Sequence, residues 1–263
     1  MSMATTVVFP YAKINIGLHV LNKRPDGYHN IRTLFYPTHL KDVLEVTDGQ
    51  PTDSPVRLYT YGLPIPGEAE DNLCVRAYNL LAKDYPLTPV CLHLYKQIPA
   101  GAGLGGGSSD AAFCLMALNK HFQLQLLCET LKTYGALLGS DVPFFLQSLL
   151  DPQPFLASGR GESLTPYSLD LSEYHIVLRI PPVQVSTARA YASLTLKEHP
   201  VPLEALLARP VTQWRDVVAN DFEPSVFAQY PLIASYKEEL YQQGAVYAAM
   251  TGSGAAVYGI FHN

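Results

Sequence analysis

The run Ile98-Pro-Ala-Gly-Ala-Gly-Leu-Gly-Gly-Gly-Ser-Ser-Asp-Ala-Ala112 constrains this chain more than any other stretch. Five glycines, Gly101, Gly103, Gly105, Gly106 and Gly107, lead into two hydroxyl residues and an alanine-rich helical segment. Glycine tolerates positive φ angles and close backbone approach, so successive N–H groups can converge on one anion. Ser108 and Ser109 add hydroxyls where the helix begins. The first amides of a helix lack intrahelical partners and sit at the positive end of its dipole, so a phosphate placed there satisfies both.

Other readings of the run fit less well. It contains Gly-x-Gly-x-x-Gly at Gly101, Gly103 and Gly106. A dinucleotide fold would place that motif in a first βαβ unit, with an acidic residue closing the next strand about 20 residues on. Here the run lies deep in the chain, and residues 121–129 continue a helix or loop pattern instead of a β-branched strand. A Walker-type loop needs Gly-Lys-Ser/Thr, and no lysine follows these glycines. A purely structural loop would carry the conformational entropy cost of so many glycines with little packing in return.

A chain of 263 residues, 48% apolar and 16% charged, buries a sizeable core and accommodates two modest domains. The net charge of −5, without a lysine/arginine run, argues against nucleic acid or an anionic membrane as partner, so an anionic ligand has to be held locally. The segment from Met1 to Phe9 has neither a basic stretch nor a cleavage-like site, and no apolar run reaches membrane-spanning length, so a cytoplasmic protein is expected. The cysteines Cys74, Cys91, Cys114 and Cys128 form no Cys-x-x-Cys pair, and three of them sit among apolar neighbours. Neither a zinc site nor a disulfide framework is expected from that pattern.

Ala12-Lys-Ile-Asn-Ile-Gly-Leu-His-Val20 alternates strictly and reads as a strand. Ile14, Ile16, Leu18 and Val20 form its core face, while Lys13, Asn15, Gly17 and His19 face either a ligand cleft or solvent. Pro25-Asp-Gly is a turn signal that starts the next strand at Tyr28 and His29, an aromatic and an imidazole suited to a nucleobase or to ordinary edge packing. Residues 109–121 and 124–138 read as helices, the second with Leu126, Leu127, Leu131 and Leu138 on its apolar side. Asp141, ahead of Pro143, suits an N-cap or a position facing a cleft. A strand at 174–181, a helix entered from 183–191, a helix from about Asn220 and a glycine turn plus strand at 248–258 follow. The stretch Pro152 to Gly161 is the expected junction between halves.

Taken in order, Pro10-Tyr-Ala-Lys-Ile-Asn15, then Pro99 through Ser109, then Gly139-Ser-Asp-Val-Pro-Phe144, then Thr251-Gly-Ser-Gly254 make a specific set. With them the chain resembles the GHMP kinase superfamily from Pro10 to about Gly259. Asp26-Gly-Tyr-His29 and Asp141-Val-Pro-Phe144 are similar to those members that phosphorylate the 2-hydroxyl of a cytidine diphospho sugar alcohol in the non-mevalonate isoprenoid route.

The resemblance implies an α+β fold of two domains: a ribosomal-protein-S5-like ATP-binding domain over 1–160 and a ferredoxin-like domain over 161–263 that contributes to the substrate site. It implies ATP as co-substrate with Mg2+, a small-molecule acceptor, and no nucleic-acid or membrane partner. Lys13 and Asp141 match the family's catalytic pair. Pro99, Gly101, Gly103, Leu104, Gly105, Gly106, Gly107, Ser108 and Ser109 match its ATP loop, and Asn15, Tyr28, His29 and Tyr191 its substrate site. Asp141 would then be the base that takes the hydroxyl proton, with Lys13 as its electrostatic partner.

Two departures bear on this. The chain ends at Asn263, soon after the Thr-Gly-Ser-Gly strand, where many members continue, so either this edge is covered differently or the chain is truncated, and an edge left uncovered would be a liability for aggregation or dimerisation. Asp110 stands where some members have asparagine, with a small expected effect: an acid in the first helical turn suits the dipole but mildly opposes phosphate. Other GHMP kinases, acting on homoserine, mevalonate or a sugar, and a silent nucleotide-binding relative are the alternatives.

Overall fold

A computed structural model describes residues 5–50, 54–149 and 152–263. Along the chain run strands β1 (Thr5–Val8), β2 (Tyr11–Lys23), β3 (His29–Lys41), β4 (Val43–Asp48) and β5 (Val56–Gly62), helix α1 (Leu73–Leu81) and strand β6 (Val90–Lys96). Helices α2 (Gly106–His121), α3 (Cys128–Leu138) and α4 (Val142–Gln147) precede strands β7 (Phe155–Ser158), β8 (Ser163–Pro166) and β9 (Tyr174–Arg179). Helices α5 (Thr187–Ala192), α6 (Leu203–Leu207), α7 (Glu223–Gln229) and α8 (Pro231–Gln242) lead to strands β10 (Tyr247–Met250) and β11 (Val257–His262). The first four residues, part of the segment read for a leader, lie outside the described residues.

The elements form two compact units, neither continuous in sequence. Unit 1 is Met1–Ala12, Thr38–Ala100 and Gly105–Pro152; unit 2 is Lys13–Pro37, Gly101–Leu104 and Gln153–Asn263. The long strands β2 and β3 and the glycine loop therefore each contribute residues to both, which a single boundary in the sequence does not capture.

Unit 1 is built on a four-stranded sheet in the order β1-β4-β6-β5, antiparallel except for the β5–β6 pair. Register pairs Leu44 with Leu94 and Val46 with Leu92, so those side chains share one buried face while Glu45 and His93 share the other. Helix α2 packs on β1 and β4 and against α1, α3 and α4, burying Phe113, Cys114, Leu115 and Leu118. Helix α3 starts at Cys128, later than the leucine pattern suggests. Leu131 and Leu138 are buried as expected, but Leu127 precedes the first turn and is 76% exposed.

Unit 2 holds a sheet ordered β2-β3-β7-β8 and a second ordered β10-β11-β9. Val20 and Ile31 pack with Phe222, Ile233, Leu240, Met250 and Val257 in its core. Of the two alternatives for this edge, the structure bears out the covered one. β11 pairs antiparallel with β10 on one side and β9 on the other. On β2 the alternation is real but the solvated alternative is wrong: Lys13, Asn15 and His19 are 3%, 2% and 4% exposed, so both faces of the strand are enclosed.

Candidate active site

The glycine loop divides between the units. Its first part, Gly101–Leu104, belongs to unit 2, where Gly103 has φ +77° and a Cβ there would lie 2.2 Å from the Thr251 carbonyl oxygen. Only glycine fits that position. Thr251 Oγ1 donates to the Gly103 carbonyl at 3.1 Å, and the Ala256 amide donates to the Ala102 carbonyl at 3.0 Å, so the Thr251-Gly-Ser-Gly turn cradles this half of the loop.

The second part launches α2 in unit 1. The helix begins at Gly106, earlier than the hydroxyl pair, with Gly105 at the N-cap in a left-handed conformation and no side chain capping the turn. The amides of Gly106, Gly107 and Ser108 are therefore the ones that point ahead of the helix, while the Ser109 amide already bonds to the Gly105 carbonyl at 2.9 Å. Ser109 is fully buried, and its Oγ finds no hydrogen-bond partner among the described residues. Gly107 is exposed, and a Cβ there would meet nothing nearer than Leu73 Cδ1 at 3.8 Å. That open space belongs to a cavity of about 190 Å3 lined by Ile65, Pro66, Asn72, Leu73, Lys96 and Asp110 among others.

In unit 2, Lys13 is fixed by its neighbours. Its Nζ donates to Asn15 Oδ1 at 2.6 Å and to the Gly103 carbonyl at 3.3 Å, and it lies 4.9 Å from the Phe35 ring centroid. Asn15 donates from Nδ2 to Thr33 Oγ1 at 3.0 Å, its amide donates to Thr251 Oγ1 at 3.0 Å, and Thr251 Oγ1 donates to its Oδ1 at 3.2 Å. The amide of Lys13 donates to the Leu104 carbonyl at 2.9 Å. Lys13, Asn15 and the loop are thus one hydrogen-bonded assembly. Thr33 and Thr251 join it, and the sequence reading missed their roles, although the Thr-Gly-Ser-Gly motif already marked the turn.

Also in unit 2, His29 stacks on Tyr191 with ring centroids 4.9 Å apart and planes 21° from parallel. Tyr191 is braced edge-on by Phe222 at 4.8 Å. Tyr28 is 57% exposed, and the Arg160 guanidinium lies 5.0 Å from its ring centroid. The turn that presents them is held by Asp26, whose Oδ1 accepts the Tyr28 amide at 3.1 Å. Burial, with Lys23 adding, pushes His29 below the ordinary imidazole range, so it is neutral at pH 7 and offers one donor and one acceptor.

Asp141, in unit 1, occupies the N-cap position of α4, but its carboxylate makes no capping bond to the helix amides. The turn before it lies beside the start of α2: a Cβ on Gly139 would be in ordinary contact with Ser108 Oγ, 3.7 Å away. Asp110 departs from expectation. It is 3% exposed and bound to Lys96 at 2.6 Å, because α2 begins early enough to turn its carboxylate toward the end of β6. Cys74 and Cys114 are buried as expected, Cys91 is half-buried, and Cys128 is exposed. No helix among the described residues is long and apolar enough to cross a membrane.

Residues 72–148 match the model of the GHMP kinases N terminal domain, and residues 203–263 that of GHMP kinases C terminal. The chain is 49% identical over 255 residues to the 4-diphosphocytidyl-2-C-methyl-D-erythritol kinase of Bacteroides thetaiotaomicron, covering 97% of this chain and 92% of the relative. The chain belongs to the GHMP kinase family. It is an ATP-dependent small-molecule kinase with the two-domain α+β GHMP fold, its first domain ribosomal-protein-S5-like and its second ferredoxin-like. A Salinibacter ruber kinase of the same name is 38% identical over 258 residues, covering 95% of this chain and 88% of that one. Among solved structures, that of a 4-(cytidine 5'-diphospho)-2C-methyl-D-erythritol kinase superposes with TM-score 0.80 at 32% identity, covering 97% of this GHMP kinase and 90% of that chain. A homoserine kinase from Cytophaga hutchinsonii, at 13% identity and TM-score 0.69 over 98% and 85% of the two chains, shares the fold.

Proposed function

We propose that this kinase transfers the γ-phosphoryl group of ATP to the 2-hydroxyl of 4-diphosphocytidyl-2-C-methyl-D-erythritol. The stacked His29–Tyr191 pair carries this reading. Two flat rings, one of them a neutral imidazole, beside the exposed Tyr28 offer a base both stacking and hydrogen bonds, features that a homoserine or mevalonate acceptor would not use. The names of the relatives at 43–49% identity support it.

The amides of Gly106, Gly107 and Ser108 hold the nucleotide phosphates at the positive end of α2. The cavity beside Gly107, with Ile65, Pro66 and Leu73 as apolar walls and Asp71, Asn72, Lys96 and Asp110 as polar ones, takes the adenine. The substrate oxygen bonds to the γ-phosphorus as the bond to the bridging oxygen breaks. ADP leaves, and the hydroxyl proton passes to Asp141. Lys13, held by Asn15 and the Gly103 carbonyl, offsets the charge that develops on the transferred group. Mg2+, the ion that the family resemblance implies, would be carried on the phosphate oxygens of the nucleotide and on water. When bound, the ion neutralises phosphate charge.

The test is a coupled ADP-release assay with ATP, Mg2+ and the cytidyl substrate, with homoserine as a second acceptor. Turnover is expected with the cytidyl substrate alone, and Asp141→Asn is expected to lower kcat by about 100-fold or more while the circular dichroism spectrum is kept. Turnover only with homoserine would discard the cytidyl reading, and an undiminished Asp141→Asn would discard the base.

A further inference from the structure

Lys96 ends β6, and Asp110 lies just past the first turn of α2, so the whole glycine loop runs between them. Lys96 Nζ donates to Asp110 Oδ2 at 2.6 Å and also to Asp42 Oδ2. Asp42 Oδ1 in turn accepts the amides of Gln97 at 2.6 Å and Ile98 at 2.9 Å. One carboxylate thus grips the backbone that begins the loop, and the ammonium crosses from there to the helix that ends it. Gly106 lies under the crossing: a Cβ there would stand 2.8 Å from Ile98 Cγ2 and 3.3 Å from Lys96 Nζ.

The charges of this cluster do not balance. Asp42, Asp110 and Lys96 are 0%, 3% and 4% exposed, so two carboxylates share one ammonium away from water. Asp110 Oδ1 is enclosed and has no hydrogen-bond partner among the described residues. An enclosed carboxylate oxygen without a donor is costly, and a proton placed between the two acids removes both the excess charge and the unmet acceptor. A triphosphate at the adjacent helix start adds negative charge nearby and makes that protonated state more favourable still.

We propose that Asp110 is a positioning residue of the nucleotide site: with Lys96 and Asp42 it ties the two ends of the phosphate loop together, and it takes up a proton when ATP binds. The proposal rests on the reading that α2 holds the ATP phosphates. The groups that face Asp110 are Lys96 from β6, Asp42 ahead of β4, Asp71 and Cys74 around the start of α1, and Cys114 one turn on in α2. The contact with Cys114 and burial keep the Cys74 thiol protonated, so it adds no charge. Burial pushes Asp110 up to about 7; Lys96 opposes this and Asp42 adds to it.

Isothermal titration of the full chain with MgATP at pH 7.5, in two buffers of different ionisation enthalpy, reads the proton directly. If ATP raises the Asp110 pKa by about one unit, the parent takes up about half a proton per nucleotide, and its ATP affinity weakens about fivefold between pH 6 and pH 8. Asp110→Asn keeps an acceptor for Lys96 and gains a donor for Asp42. It is expected to take up no proton and to show less than half of that pH dependence. ATP binding by the parent without proton uptake overturns the proposal and leaves the ATP reading standing, and so does equal uptake by parent and variant. Absence of ATP binding by the parent overturns the ATP reading itself. Should the variant fail to fold, uptake by the parent still decides.

Discussion

At the residue scale, the proposed acceptor rests on Tyr28, His29 and Tyr191. Tyr28 and His29 follow a Pro-Asp-Gly turn and were legible in the sequence as a presented pair, but the ring that faces His29 was not. Tyr191 enters from a short helix far along the chain, and no local pattern joins it to His29; only the resemblance pointed there. The stack, with Phe222 edge-on behind it, holds two flat rings in a fixed orientation. Replacing His29 by Ala or Tyr191 by Leu is expected to raise KM for the cytidyl substrate about tenfold and leave KM for ATP within about twofold, since in the proposed reading the lost contacts serve acceptor binding. Steady-state kinetics with each substrate varied in turn checks this. Equal rises in both KM values would assign the stack to the fold instead of the substrate.

At the scale of elements, the glycine loop shows why a motif is readable while its partners are not. The run of glycines, the following hydroxyls and the helix were legible because backbone demands are local: Gly103 needs φ +77°, and α2 needs uncapped amides at its start. The clamp beneath was not legible, since Asp42, Lys96 and Asp110 meet only once β6 and α2 have packed into one unit. Helix phase decided Asp110: starting α2 at Gly106 turns it inward, where a start at Ser109 would leave it near the phosphate. The glycines themselves also divide. Gly103→Ala places a methyl 2.2 Å from the Thr251 carbonyl oxygen in a left-handed conformation and is expected to cost about 2 kcal/mol or more, with a raised KM for ATP. Gly107→Ala has open space on a helix and is expected to hold or raise the melting temperature. Thermal unfolding of both variants followed by circular dichroism tests the contrast, and equal destabilisation would contradict this division of roles.

For the molecule as a whole, buried titratable groups in the two units pull stability in opposite directions with pH. His19 of unit 2 stacks on His199 at 3.8 Å and is lowered to about 4, by burial first and by His199 next, against the attraction of Asp221 and Glu204. Between pH 4 and the ordinary imidazole range the unfolded chain binds that proton and the folded one does not, so this term makes stability rise with pH. Asp110 of unit 1, at about 7, does the reverse. Above the ordinary carboxylate range the unfolded chain has released its proton while the folded one keeps it, so stability falls with pH until about 7 and then levels. The His19 term is common to the parent and Asp110→Asn and cancels in their difference. The variant should therefore match the parent most closely near pH 4 to 5 and exceed it by a few kcal/mol, to order of magnitude, at pH 7 and above. Urea midpoints measured at pH 5, 6, 7 and 8 give that difference directly. A difference that stays constant with pH would mean that Asp110 is ionised throughout and that the cluster carries its unbalanced charge, and a difference that shrinks as pH rises would mean that folding lowers the Asp110 pKa, with Lys96 outweighing burial.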